Sequence, residues 1–127
     1  MGETLMLRLA DIYQLQSTWL PPTDIFDMGS HIFIRMEISG INTKDVSIHI
    51  QDDLVLIKGY RNEAESTKMR VMQMEIIYGQ FERRFRLPCI IDSNSSRASY
   101  NNGFLEIYLP KAENPVPRPA SVVIVMR

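Results

Sequence analysis

Apolar residues recur along this chain with two different periods. Over residues 3 to 20, Leu5, Leu9, Ile12, Leu15, Trp19 and Leu20 follow spacings of three and four, which predict an amphipathic helix. Pro21-Pro22 ends it. From His31 the period drops to two. Ile32, Ile34, Met36 and Ile38 share one face, and His31, Phe33, Arg35 and Glu37 share the other, the alternation of a half-buried strand. Ser39-Gly40-Ile41-Asn42 supplies a turn, and Val46, Ile48 and Ile50 then alternate with Ser47, His49 and Gln51 as a second strand.

Gln51-Asp52-Asp53 turns the chain again, and the nearly continuous apolar run from Leu54 predicts a strand in the middle of a sheet. Residues 61 to 68 are polar and aperiodic, which favours a loop over a helix. Met69 to Glu75 is compatible with a short strand. Gly79 to Leu87 is a clearer one, with Phe81, Arg83, Phe85 and Leu87 on one face, and Pro88 stops it. Arg97 to Tyr100 leads into Asn102-Gly103 and then Phe104 to Leu109. Asn-Gly between two such runs is the signature of a type I′ hairpin turn, whose two central residues both need positive φ.

Pro110 closes the last of these strands, and three prolines follow within residues 112 to 120, an extended linker. Beyond it stands the isolated β-prone run Val122-Val123-Ile124-Val125. An apolar tetrapeptide on a leash is costly to leave in water, so it is expected to dock. Roughly seven or eight short strands separated by turns, with no internal helix, predict an all-β immunoglobulin-like sandwich. Residues 1–21 form an N-terminal arm, 22–111 the domain, and 112–127 the linker and anchor.

Composition narrows the function. With 14 Lys+Arg against 15 Asp+Glu in 127 residues, the chain lacks the basic field that neutralises phosphates, so no nucleic-acid partner is expected. Neither a basic leader nor an apolar run of about 18 residues is present, and Cys89 has no second cysteine to pair with, which suits a cytoplasmic, unanchored protein. Eight methionines offer adaptable apolar contacts: Met28 and Met36 read as core fillers, Met69, Met72 and Met74 as a surface group. His31 and His49 stand on polar faces without ligand-spaced partners, and no nucleophile motif or phosphate loop occurs. No catalytic residue, metal or cofactor is expected.

Ala98-Ser99-Tyr100-Asn101-Asn102-Gly103-Phe104-Leu105 resembles the A-x-x-x-N-G-x-L signature of the α-crystallin, or small heat-shock, family of bacterial type. Gly79-Gln80-Phe81-Glu82-Arg83-Arg84-Phe85-Arg86-Leu87-Pro88 resembles its G-x-F-x-R-x-F-x-L-P strand, and Val55-Leu56-Ile57-Lys58-Gly59 its L-x-I-x-G strand. The resemblance implies an α-crystallin-type sandwich and an ATP-independent chaperone that holds unfolding clients, assembles with itself as dimers and higher oligomers, and passes clients to ATP-dependent chaperones. It further implies a groove lined by Val46, Ile48, Ile50, Ala98 and Tyr100, and a C-terminal anchor.

The tail offers two registers for that anchor, Val123 with Val125 or Val122 with Ile124; the resemblance implies the first, and the local sequence does not choose between them. The resemblance also implies a dimer in which Arg70 to Met74, with Met72 and Met74, crosses to Ile25, Phe26 and their neighbours on a second chain; the alternative is an intrachain hairpin with residues 79–87. Arg83, on an apolar face, is implied as a dimer-interface arginine, unless strand twist carries it to water. The competing function is a p23/CS-type co-chaperone adaptor that docks one folded partner. The isolated tail anchor, which such an adaptor does not need, argues for the holdase.

Overall fold

The computed structural model describes residues 19–63, 70–113 and 119–126. The helix expected over residues 3 to 20 lies outside these except at its last two residues. Among the described residues nine strands follow in order: β1 Thr23–Asp27, β2 His31–Glu37, β3 Val46–Gln51, β4 Leu54–Arg61, β5 Gly79–Arg86, β6 Arg97–Asn101, β7 Phe104–Pro110, β8 Pro119–Val122 and β9 Ile124–Met126. Seven belong to the domain and two come from the tail. They form two sheets, one ordered β1-β2-β7-β6-β9 and the other β5-β4-β3-β8, the all-β sandwich expected.

The period-two faces of β2 and β3 determine how the sheets close. Ile32, Ile34, Met36 and Ile38, joined by Leu105, Ile107 and Leu109 of β7, meet Val46, Ile48, Ile50, Val55, Ile57 and Phe81 from the second sheet. Their burial supplies the main driving force for folding. Met36 is in this core as expected; Met28 is not, and lies exposed in the turn after β1. β4 lies between β3 and β5, the central place its continuous apolar run predicts.

Turn chemistry sets the registers. Asn101 pairs with Phe104, leaving Asn102 and Gly103 as a two-residue loop with φ of 53° and 83°. Both values are positive, as the type I′ turn requires. Gln51 pairs with Leu54 in the same way, with Asp52 at φ 58°. The strand considered for residues 69–75 does not form: residues 70–75 lie outside every strand.

The segment before β1 closes one side of the sandwich. Trp19 bridges Phe81 of β5 and meets its ring edge-on at 5.9 Å. Arg61, at the end of β4, stacks on the Trp19 ring at 4.2 Å and donates to the carbonyls of Ser39 and Ile77. Gly59 lies against Phe81, since a Cβ there would sit 2.6 Å from the Asp45 carbonyl and 2.8 Å from the Phe81 ring.

Candidate functional site

On the side opposite Trp19, the domain's own strands end in β3 and β6, next to the tail strands β8 and β9, and a groove runs between these two edges. Val46, Ile48 and Ile50 from β3 and Ala98 from β6 are all buried along it. Tyr100 is half-buried there, and its hydroxyl donates to the Ile38 carbonyl at 2.9 Å. That bond fixes the ring at the end of the groove while satisfying the one polar atom it brings. The five residues expected to line the groove are therefore brought together.

The tail of the same chain occupies it. β8 runs antiparallel to β3, with Ile48 opposite Val122 and Ile50 opposite Ala120. After Val123 the chain changes sheets, and β9 runs parallel to β6 with Ala98 opposite Ile124. Ser121 Oγ and His49 Nδ1 share a hydrogen bond of 3.0 Å on the outer side. A short extended segment thus supplies backbone partners to two sheet edges at once.

The anchor register differs from the expected one. Val122 is 9% exposed and Ile124 packs against the core, whereas Val123 is 81% and Val125 57% exposed. The reason is the pleat. Ala120 and Val122 lie opposite Ile50 and Ile48, the inward residues of β3, so every second tail residue follows them inward and Val123 and Val125 are turned to solvent.

The residues expected at a dimer contact are on the opposite edge. Ile25 and Phe26 are exposed on β1, whose only strand partner among the described residues is β2. Arg70, Met72 and Met74 are exposed, Met72 at 94%. No described residue pairs with 70–74, and the only strand next to β5 among the described residues is β4, so the intrachain hairpin does not form among the described residues. Arg83 is half-buried and donates from Nη1 to the Pro21 carbonyl at 2.9 Å, with its guanidinium over the Phe85 ring at 4.9 Å. Its charge is housed by a carbonyl and a ring face.

Two titratable groups among the described residues are shifted. Asp27 is held below the ordinary carboxylate value by its hydrogen bond from Lys111 and then by the Gly29 amide; the Lys111 ion pair measures 2.8 Å. Burial pushes the Cys89 thiol up, against a smaller opposing pull from Lys111. Among the described residues, no group of three or more His, Cys, Asp or Glu is placed to hold a metal. No helix among them is long and apolar enough to cross a membrane.

The pattern describing the Hsp20/alpha crystallin family matches residues 24–125, which includes both edges of the groove and the tail within it. This chain belongs to the Hsp20/alpha crystallin family. Small heat shock protein C2 of Rickettsia felis is 37% identical over 95 residues, covering 74% of this chain and 62% of that protein. The 17.5 kDa class I heat shock protein of Glycine max is 40% identical over 86 residues, covering 66% and 55%. The matched region thus spans less than two thirds of these relatives.

Solved small heat-shock structures share the architecture. HspA of Xanthomonas axonopodis superposes with a TM-score of 0.67 at 32% identity, over 76% of this chain and 98% of that one. Heat shock protein 16.0 of Schizosaccharomyces pombe gives 0.70 at 26%, over 79% and 94%. A small heat-shock protein of Xylella fastidiosa, described as having a distinct high order structure, gives 0.66 at 31%, over 80% and 94%. The family is one of chaperones rather than enzymes.

Two features escaped the sequence reading. Arg61 stands at the start of a stretch read as loop, yet it is the last residue of β4 and joins Trp19, Ile77 and Ser39. The outer face of the first sheet carries a transverse row, Phe26–Phe33–Tyr108–Arg97, each opposite the next. Arg97 lies over Tyr108 at 4.7 Å. Phe26, Phe33 and Tyr108 stand on three different strands, and only cross-strand register assembles the row.

Proposed function

We propose that this small heat-shock protein is an ATP-independent holdase: it binds unfolding proteins and keeps them from aggregating, acting as an exchanging homo-oligomer. The observation that carries the reading is the groove between β3 and β6. It accepts an extended segment antiparallel on one edge and parallel on the other, through backbone pairing plus two small apolar side chains. An unfolding client offers the same currency of unpaired backbone and apolar side chains, in no particular sequence. Such capture needs no nucleotide.

Val122 and Ile124 are the anchor, and Val46, Ile48, Ile50, Ala98 and Tyr100 its receptor. A tethered contact of this size is individually weak, and many of them together support assemblies that exchange subunits. The dimer contact is assigned to Ile25 and Phe26 of one chain and Arg70, Met72 and Met74 of another, supported by the open outer edge of β1 and the exposed methionines. Arg83 supports that face from within. Residues 22–111 act as the domain, in the cytoplasm, with ATP-dependent chaperones receiving the clients.

The test is light scattering from a heat-destabilised model client without ATP. Near-stoichiometric suppression is expected. Unchanged scattering, over temperatures at which this protein stays folded, overturns the reading.

A further inference from the structure

One side chain fastens the segment between β4 and β5 where it re-enters the sandwich. Arg61, the last residue of β4, donates from Nε at 3.0 Å and from Nη2 to the Ile77 carbonyl, and from Nη1 to the Ser39 carbonyl at 3.2 Å. The same guanidinium lies over the Trp19 ring at 4.2 Å and the Tyr78 ring at 5.6 Å. Among the described residues, no other side chain hydrogen-bonds residues 70–77 to the sandwich. Trp19, which leads into β1, and Ile77, which leads into β5, therefore share one holder.

The arrangement calls for arginine. A guanidinium is a flat fork that donates in its plane to two carbonyls while offering its face to a ring. The compact ammonium of lysine cannot do both. Arg61 is half-buried, and its stem runs beside Gly40, where an added Cβ would stand 4.0 Å from Arg61 Cδ. Because the indole fixes the plane in which the donors lie, Trp19 and the Ile77 carbonyl each hold the fork in the orientation the other needs. Ordering one contact lowers the entropic cost of making the other.

We propose that Arg61 is a positioning residue that couples the chain entering β1 to the segment carrying Met72 and Met74. With Trp19 seated on Arg61, that segment is held for its contact with a second chain; with Trp19 unseated, it loosens. The inference rests on the dimer contact assigned above and adds what controls it.

Trp19 is the chain's one tryptophan, so its fluorescence reads the stack directly. In the full chain, Arg61→Lys keeps the charge and loses the fork. Acrylamide quenching of Trp19 is expected to rise, and amide exchange over residues 79–81, where the fastened segment enters β5, to quicken on the order of tenfold. Wild-type quenching and exchange in a variant with the wild-type far-UV circular dichroism overturn the proposal.

Trp19→Leu approaches the same fork from the other side and should quicken the same exchange. In the double variant the second substitution is expected to add little; full additivity marks two separate structural effects and overturns the coupling. Sedimentation over a series of chain concentrations then reads association, which Arg61→Lys should weaken on the order of tenfold. Met72→Asp, which leaves Arg61 untouched, should weaken it too. Association that survives Met72→Asp sinks the dimer assignment, whereas association lost with Met72→Asp but kept with Arg61→Lys overturns the role of Arg61 alone.

Discussion

Gly59→Ala puts the packing around Phe81 under direct strain. Gly59 lies in β4 opposite both Val46 and Phe81, and an added Cβ would stand 2.6 Å from the Asp45 carbonyl oxygen and 2.8 Å from Phe81 Cζ. The closer atom is backbone, in the 3-10 turn Thr43–Asp45 that leads into β3, so no rotamer change relieves it. The ring is 1% exposed and wedged against Trp19. Overpacking of this kind costs about 1–3 kcal/mol, offset by about 0.4–1 kcal/mol from the stiffer unfolded chain. The net expectation is a loss of about 1–2 kcal/mol, a fall in thermal midpoint of about 4–16 °C for a domain of this size.

Scanning calorimetry or a urea titration measures it, at fixed chain concentration because assembly shifts the midpoint by mass action. Trp19 fluorescence should report the same transition, since the indole lies on the displaced ring. An unchanged or raised midpoint would refute the steric argument, and with it the view that this position must lack a side chain for Phe81 to close the sandwich.

Two further outcomes follow from the site. Arg83→Ala leaves the Pro21 carbonyl without its donor and uncovers Phe85, which should cost about 1–3 kcal/mol and change the assembled size by light scattering; wild-type size together with wild-type stability refutes it. Lys111→Gln should raise the Asp27 pKa toward the ordinary carboxylate value, read by NMR titration. Because the folded pKa is lowered, the pair's contribution is present above the unfolded carboxylate pKa and is lost as pH falls through the folded one; an unmoved Asp27 titration contradicts the assignment.

Much of the fold can be read along one strand at a time. Alternation in 31–38 and 46–51 marks the core faces because a one-residue slip would bury Arg35 or His49 and expose the isoleucines. Asn102-Gly103 marks its turn because few other pairs tolerate two positive φ values. What could not be read this way depends on partners far apart in sequence. The anchor register is decided by whether Val122 or Val123 meets Ile48, some 74 positions away, and both valines look alike locally. Arg61 ends a strand because Gly79 pairs with it across the 62–78 segment, and Phe33 belongs to an aromatic row only once β1 and β7 flank it. Residues 70–75 have strand-like composition but no strand partner among the described residues.

The double attachment of the tail has a kinetic corollary. β8 and β9 are four and three residues long and joined through Val123 alone, so neither half is long enough to persist once the other has left. Release is then a single event that frees the amides of two separate sheets together. In hydrogen-exchange terms, the outward-facing edges of β3 and β6 share one opening equilibrium although they belong to different ladders. A groove built this way opens and closes in one step, without a half-open intermediate.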